Sequence, residues 1–275
     1  MKTILTSFII FFGCLPIACE SSEDSVDIPY QERLVIDAYL VPQHNSVQFI
    51  SVRRTLSFNE DYSIEQGTIR NARVFLQYGD TVRDFLYDQN SGYRNDSISI
   101  IAGRSYTVTA EWNGKRAWAT TLVPSFPAID TITLTRQDSP DGPKYAVEAS
   151  ITPHPQEAYI ASWMIQRHIA VGRDSLIYIP PLETTPMIAE NAEDDGRLHF
   201  HCNFQTNFPS GDSLSFECTA FDRPYYDYYV SRGDPWFSGV PTYSYFEGAV
   251  RWNVKGDGVG LVVGLVPTDR KMGLP

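Results

Sequence analysis

Ser105-Tyr106-Thr107-Val108-Thr109-Ala110-Glu111-Trp112-Asn113-Gly114-Lys115-Arg116-Ala117-Trp118-Ala119-Thr120-Thr121-Leu122 is two alternating runs joined by Asn-Gly. Alternation of apolar and polar residues marks a strand with one buried face. Asn-Gly supplies the two positive φ angles of a type I′ hairpin turn. The dipeptide also fixes the register: Trp112 falls opposite Lys115 and Glu111 opposite Arg116, so unlike charges face each other. Tyr106, Val108, Ala110 and Trp112 then share one face, and Thr107, Thr109 and Glu111 the other. This is a half-buried antiparallel ribbon.

The same pattern extends both ways from it. Upstream, Leu34–Leu40 and residues 47–52 alternate, and Arg73–Tyr78, Gly79-Asp80 and residues 81–87 read as a second tight hairpin. Downstream, Pro124-Ser125-Phe126-Pro127 interrupts the series and reads as a domain junction. Strand patterns resume at residues 129–134, 145–152, 158–168 and 176–179, then at 197–206 and 213–221. Residues 180–196 read as a loop opened by Pro180-Pro181, and 222–232 as a short helix stopped by Gly233 and Pro235. The expectation is an all-β chain. It has two consecutive antiparallel β-sandwich domains, Ig-like or transthyretin-like, over 33–124 and 127–275. The second carries a C-terminal subdomain with the short helix and Gly- and aromatic-rich loops.

The N-terminus sets the compartment. Lys2 precedes an apolar run from Ile4 to Ile17, the charged and apolar regions of a secretory signal over residues 1–18. The run is too short for a transmembrane helix, which takes roughly 20 apolar residues. Leu15-Pro16-Ile17-Ala18-Cys19 resembles a bacterial lipoprotein signal, with a small residue just before the cysteine and Pro16 in an unusual place. Cys14, after Gly13, is a weaker acceptor. Acyl chains on Cys19, at about 0.8 kcal/mol per buried CH₂, would anchor the protein stably. Glu20-Ser21-Ser22-Glu23-Asp24-Ser25-Val26-Asp27 is an acidic tether within residues 19–32, resembling the export signal of surface-displayed lipoproteins. About 257 residues remain after the signal, enough for one large or two ordinary domains. Their charge, −11 over the full chain with Lys and Arg interspersed among the acids, excludes the basic stripe that nucleic acid needs. The expected location is the outer membrane, lipid-anchored and exposed at the cell surface.

Chemistry is harder to find. Nucleophile elbow, P-loop, dinucleotide fingerprint and His-Glu-x-x-His are all absent from the sequence. Gly256-x-Gly258-x-Gly260 precedes no helix, so its glycines are read as permitting turns and close strand packing. His199-Phe200-His201-Cys202 has metal-ligand residue types, but only His199 and His201 share a strand face, and two ligands make an incomplete zinc site. Glu190, Glu193, Asp194 and Asp195 lack EF-hand spacing. No metal, cofactor or enzyme activity is expected. Cys202 and Cys218 are equidistant from Ser210, so a hairpin of residues 197–206 and 213–221 would set them nearly opposite, and a disulfide is expected.

Aromatic residues crowd the C-terminal third: Tyr225, Tyr226, Tyr228, Tyr229, Trp236, Phe237, Tyr243, Tyr245, Phe246 and Trp252. Such side chains pack cores, but they also dominate interfaces because they bury large area at low entropy cost. Trp236, Phe237, Tyr243 and Tyr245 are the candidate partner or ligand contacts.

Taken together, several short motifs resemble the DUF4249 family of Bacteroidota lipoproteins. They are Arg33-Leu34-Val35-Ile36, Asn71-Ala72-Arg73-Val74, Ala102-Gly103-Arg104-Ser105-Tyr106-Thr107-Val108, Leu122-Val123-Pro124, Tyr225-Tyr226-Asp227-Tyr228-Tyr229, and residues 253–264 from Asn253 to Gly264. The chain departs from that pattern at Val262, where an aromatic is expected, and in its cysteine pair. The resemblance implies a non-enzymatic accessory partner of a TonB-dependent outer-membrane transporter in nutrient uptake. A glycan- or matrix-binding adhesin is the alternative.

Overall fold

In this computed structural model the described residues are 30–42, 48–57, 59–61, 63–171, 174–178, 181–184, 195–205, 213–232 and 250–273. The signal segment, Cys19 and most of the tether lie outside them. In chain order the first elements are β1 (Leu34–Leu40), β2 (Gln48–Arg54), α1 (Ile64–Gly67), β3 (Arg73–Tyr78), β4 (Thr81–Asp88), β5 (Gly92–Asn95), β6 (Ser105–Trp112) and β7 (Lys115–Leu122). There follow β8 (Ala128–Gln137), β9 (Lys144–Thr152), β10 (Glu157–Val171), β11 (Asp174–Tyr178), β12 (Pro181–Thr184) and β13 (Leu198–Gln205). The last are β14 (Ser213–Asp222), α2 (Arg223–Arg232), β15 (Lys255–Gly256) and β16 (Gly258–Gly273). The chain is all-β.

Local chemistry explains the hairpins. Asn113 and Gly114 take φ of 48° and 76°, and the ladder they close pairs Trp112 with Lys115 and Glu111 with Arg116. Tyr106, Val108 and Ala110 are buried, as the alternation requires, and Thr109 is buried on the opposite face. Gly79 (φ 52°) closes the β3–β4 hairpin, with Tyr78 opposite Thr81.

One long sheet runs β11-β10-β14-β16-β1-β2-β5-β4-β3-β6-β7-β15, with β12 also on β10, and a second of three strands runs β13-β9-β8. The long sheet folds over itself at β4, whose first half pairs with β3 and whose end, Leu86–Asp88, pairs with β5. Between the two leaves lies a core built on Leu34, Ile36, Leu40, Ile50, Leu76, Tyr93, Tyr106 and Val108. Each such fully buried aliphatic side chain contributes about 1.5–3 kcal/mol. A second core, with Trp163, Phe200, Phe216 and Ile151, fills the space between β9–β13 and β10–β14. The chain is thus built as two sandwiches around these two cores, and residues 124–127 connect β7 to β8.

Three expectations need correction. The C-terminal strand is not confined to the second sandwich: β16 pairs with β1 over Gly258–Gly264, then with β14 from Leu265 to Gly273. Its pairing with β1 is parallel, in a fold expected to be antiparallel throughout. The expected Cys202–Cys218 hairpin does not form, because β14 already has β10 on one side and β16 on the other. β13 pairs with β9 instead. Both cysteines point from different sheets into the second core and are thiols rather than a disulfide. Lastly, the stretch expected to be loop contains β12, which pairs antiparallel with β10 and has Pro181 as its first residue, a position where proline is tolerated in a strand.

The glycines of the C-terminal motif serve close approach. A Cβ on Gly260 (φ 124°) would stand 2.2 Å from the Ile36 carbonyl oxygen, and one on Gly264 2.6 Å from the Val123 Cα. Only glycine fits there. The Asn253 side chain acts as an extra strand for β16, donating from Nδ2 to the Val262 carbonyl (2.6 Å) and accepting from the Val262 N–H (2.9 Å).

Candidate functional site

Helix α2 begins where β14 ends, at Asp222. Its carboxylate caps the helix: Oδ1 accepts from the Tyr225 N–H at 3.3 Å. Pro224 is tolerated because a first-turn N–H has no intrahelical partner to lose. Arg223 Nε donates to Asp227 Oδ1 one turn on (3.2 Å), and its guanidinium lies 4.9 Å from the centre of the Tyr226 ring.

Helical spacing places the tyrosines in a row. Phe221 stacks on Tyr225 (4.7 Å between centroids), Tyr225 on Tyr228 (6.3 Å), and Tyr228 meets Trp252 at 5.1 Å. The row is half-buried and ends on Trp252, which is 46% exposed. Ser231 Oγ accepts from the Arg251 N–H at 2.9 Å, joining the two ends of residues 233–249. Trp236, Phe237, Tyr243 and Tyr245 all fall in that span, outside the described residues. What the structure adds is an aromatic row from Phe221 to Trp252, of the kind that makes contact surfaces.

Below the row the chain buries a polar network. Thr121 Oγ1 donates to Asp222 Oδ2 and accepts from the Gly264 N–H (2.9 Å), so it links the end of β7 to α2 and β16. Burial lifts the Asp222 carboxyl to about 6, against the pull of the hydrogen bonds it accepts. Nearby, Glu157 accepts from the Ser125 N–H (3.0 Å) and from the Tyr159 hydroxyl (2.7 Å). The Thr121–Asp222 bond joins β7 to the end of β14, while Glu157 ties the connecting residue Ser125 to β10.

Metal-ligand chemistry sits elsewhere, on the outer face of the small sheet. His199 and His201 point outward while Leu198, Phe200 and Cys202 point in, as alternation predicts. The ligand missing from the sequence reading is Glu148, on β9 directly opposite His201. Glu148 Oε1 lies 2.8 Å from His199 Nδ1, and Oε2 lies 3.9 Å from His201 Nδ1. The imidazole rings are nearly parallel, at 12°. Asp195 Oδ2 takes the other nitrogen of His199, Nε2, at 3.0 Å. The Arg197 N–H, and then His199, hold the Asp195 carboxyl below its usual range. Glu190, Glu193 and Asp194 lie outside the described residues.

A family model described as "Domain of unknown function (DUF4249)" matches residues 22–234. The chain belongs to the DUF4249 family. The match ends before the 253–264 motif. No curated protein matches the chain. Among solved structures, two chains titled as a cytokine receptor complex, in crystal forms 1A and 2, align at 10% identity. They cover 70% of this DUF4249 chain and 86% and 92% of their own, at a TM-score of 0.24. A DUF4785 family protein from Legionella pneumophila subsp. pneumophila str. Philadelphia 1 aligns at 11% identity, over 69% of this chain and 52% of its own, again at 0.24. Likenesses this slight bear on neither fold nor function.

Proposed function

We propose that this DUF4249 protein is a non-enzymatic lipoprotein of the outer membrane, displayed at the cell surface. There it serves as an accessory partner of a TonB-dependent transporter in nutrient uptake. The observation that carries the reading is Cys19, set behind an apolar leader and a small residue and followed at once by an acidic stretch. Among the described residues no helix is long and apolar enough to cross a membrane, so a lipid is the anchor the sequence offers. The aromatic row from Phe221 to Trp252 supports contact with a partner. Two measurements test this. Mass spectrometry of the mature N-terminus should find acylated Cys19, and affinity capture from detergent-solubilised outer membrane should recover a transporter. An unmodified, secreted chain, or repeated capture without a transporter, overturns it.

The exposed Trp252 at the end of a tyrosine row also favours a second reading, a glycan- or matrix-binding adhesin, since aromatic faces stack on sugars. It predicts glycan binding lost on Trp236→Ala, and a flat response across a broad glycan array removes it.

A further inference from the structure

We infer that Glu148, His199 and His201 form a binding site for a divalent late transition-metal ion of the zinc class. Each offers one ligand atom, and these atoms all lie within 4.8 Å of one another. Two imidazole nitrogens and one carboxylate oxygen select zinc, nickel or copper over calcium and magnesium, which take oxygen ligands.

The geometry makes the case: Glu148 Oε1 lies 2.8 Å from His199 Nδ1 and Oε2 lies 3.9 Å from His201 Nδ1, so one carboxylate borders both imidazoles on the outer face of the β9–β13 ladder. In a tetrahedral site with bonds of about 2.0–2.2 Å the ligand atoms stand roughly 3.4 Å apart, so the closer pair must open and the wider pair close.

The surroundings fit as well. Asp195 is the carboxylate behind a metal-bound histidine, fixing its tautomer and ring. It is itself fixed by the Arg197 N–H at 2.9 Å. The His199 side chain is 16% exposed, against 43% for Glu148 and 58% for His201. One ligand is sunk and two are reachable, so an ion can enter from solvent. Three protein ligands would leave a fourth position for water or another ligand.

The test is calorimetric titration of the full chain, free of any polyhistidine tag, with zinc chloride. Cobalt(II) absorption serves as a second readout of coordination. The expected result is one ion per chain, not displaced by excess calcium, with the visible bands of four-coordinate cobalt. Glu148→Gln and His201→Ala should each abolish it, and Asp195→Asn should weaken it about 10- to 100-fold. Circular dichroism keeps a folding defect apart from a lost ligand. If zinc fails to bind the folded wild type, the inference falls. It falls equally if binding survives in the Glu148→Gln, His201→Ala double variant.

Discussion

Replacing Asp222 by Asn should make the protein more stable at neutral pH, by an amount that grows with pH. Asp222 is 2% exposed, and burial lifts its carboxyl from the ordinary 3.8 to about 6. At about 1.36 kcal/mol for each tenfold step, that gap is worth about 3 kcal/mol. Below pH 4 or so both folded and unfolded chains hold the proton, and the group has no effect on stability. Between about 4 and 6 the unfolded chain releases the proton while the fold retains it, so stability falls as pH rises. Above about 6 the full 3 kcal/mol is lost, because the fold must then hold a buried charge. Asn cannot ionise, keeps an oxygen for the Tyr225 N–H, and can donate to Thr121 Oγ1. Guanidinium unfolding of both proteins at several values between about pH 4 and pH 8 gives the difference in stability directly. That difference should move in favour of the variant by up to about 3 kcal/mol across the range. A pH-independent difference, or one that shrinks as pH rises, refutes the reasoning.

Gly260→Ala should be among the most damaging single changes, since its Cβ would meet the Ile36 carbonyl oxygen at 2.2 Å and the backbone holds φ at 124°. A loss of about 3 kcal/mol or more is expected from overpacking and strain, and an unchanged melting temperature would contradict it. Thr121→Val keeps the shape but removes the hydroxyl that donates to Asp222 Oδ2 and accepts from the Gly264 N–H. About 1–3 kcal/mol per group should be lost in denaturant unfolding, and a neutral result would mean that water replaces the hydroxyl. Burial pushes the Cys218 thiol up to about 12. Iodoacetamide at about pH 8 should therefore leave Cys218 unlabelled in the native protein and reach it only after denaturation, as peptide mass spectrometry will report.

Legibility followed sequence distance. The β6–β7 register was readable because Asn113-Gly114 determines it within two residues, and α2 because Asp222, Gly233 and Pro235 bracket it. The parallel pairing of Leu34 with Gly258 was not readable, because no local signal links strands so far apart. The cysteines failed for a related reason. Symmetry about Ser210 assumes that neighbouring strands pair, whereas β14 is a central strand with both edges taken. Both thiols are buried, but on strands of different sheets. The metal-ligand group shows the same limit: His199 and His201 were visible as a pair, while Glu148 lies 51 residues from His199 and joins them only through the β9–β13 ladder. Its trace in the sequence is a single acid at position 148 of an otherwise small and apolar strand pattern, and it means nothing until the pairing is known.

The placement of β1 has a mechanical consequence. It is the first strand among the described residues, and it lies between β2 and β16 rather than at an edge. A pull on the chain upstream of Leu34 runs along the strand, so both flanking ladders are loaded in shear and their hydrogen bonds must give way together. An edge strand under the same load could be peeled off one bond at a time. Tension applied at that end is therefore met by two ladders at once rather than by one.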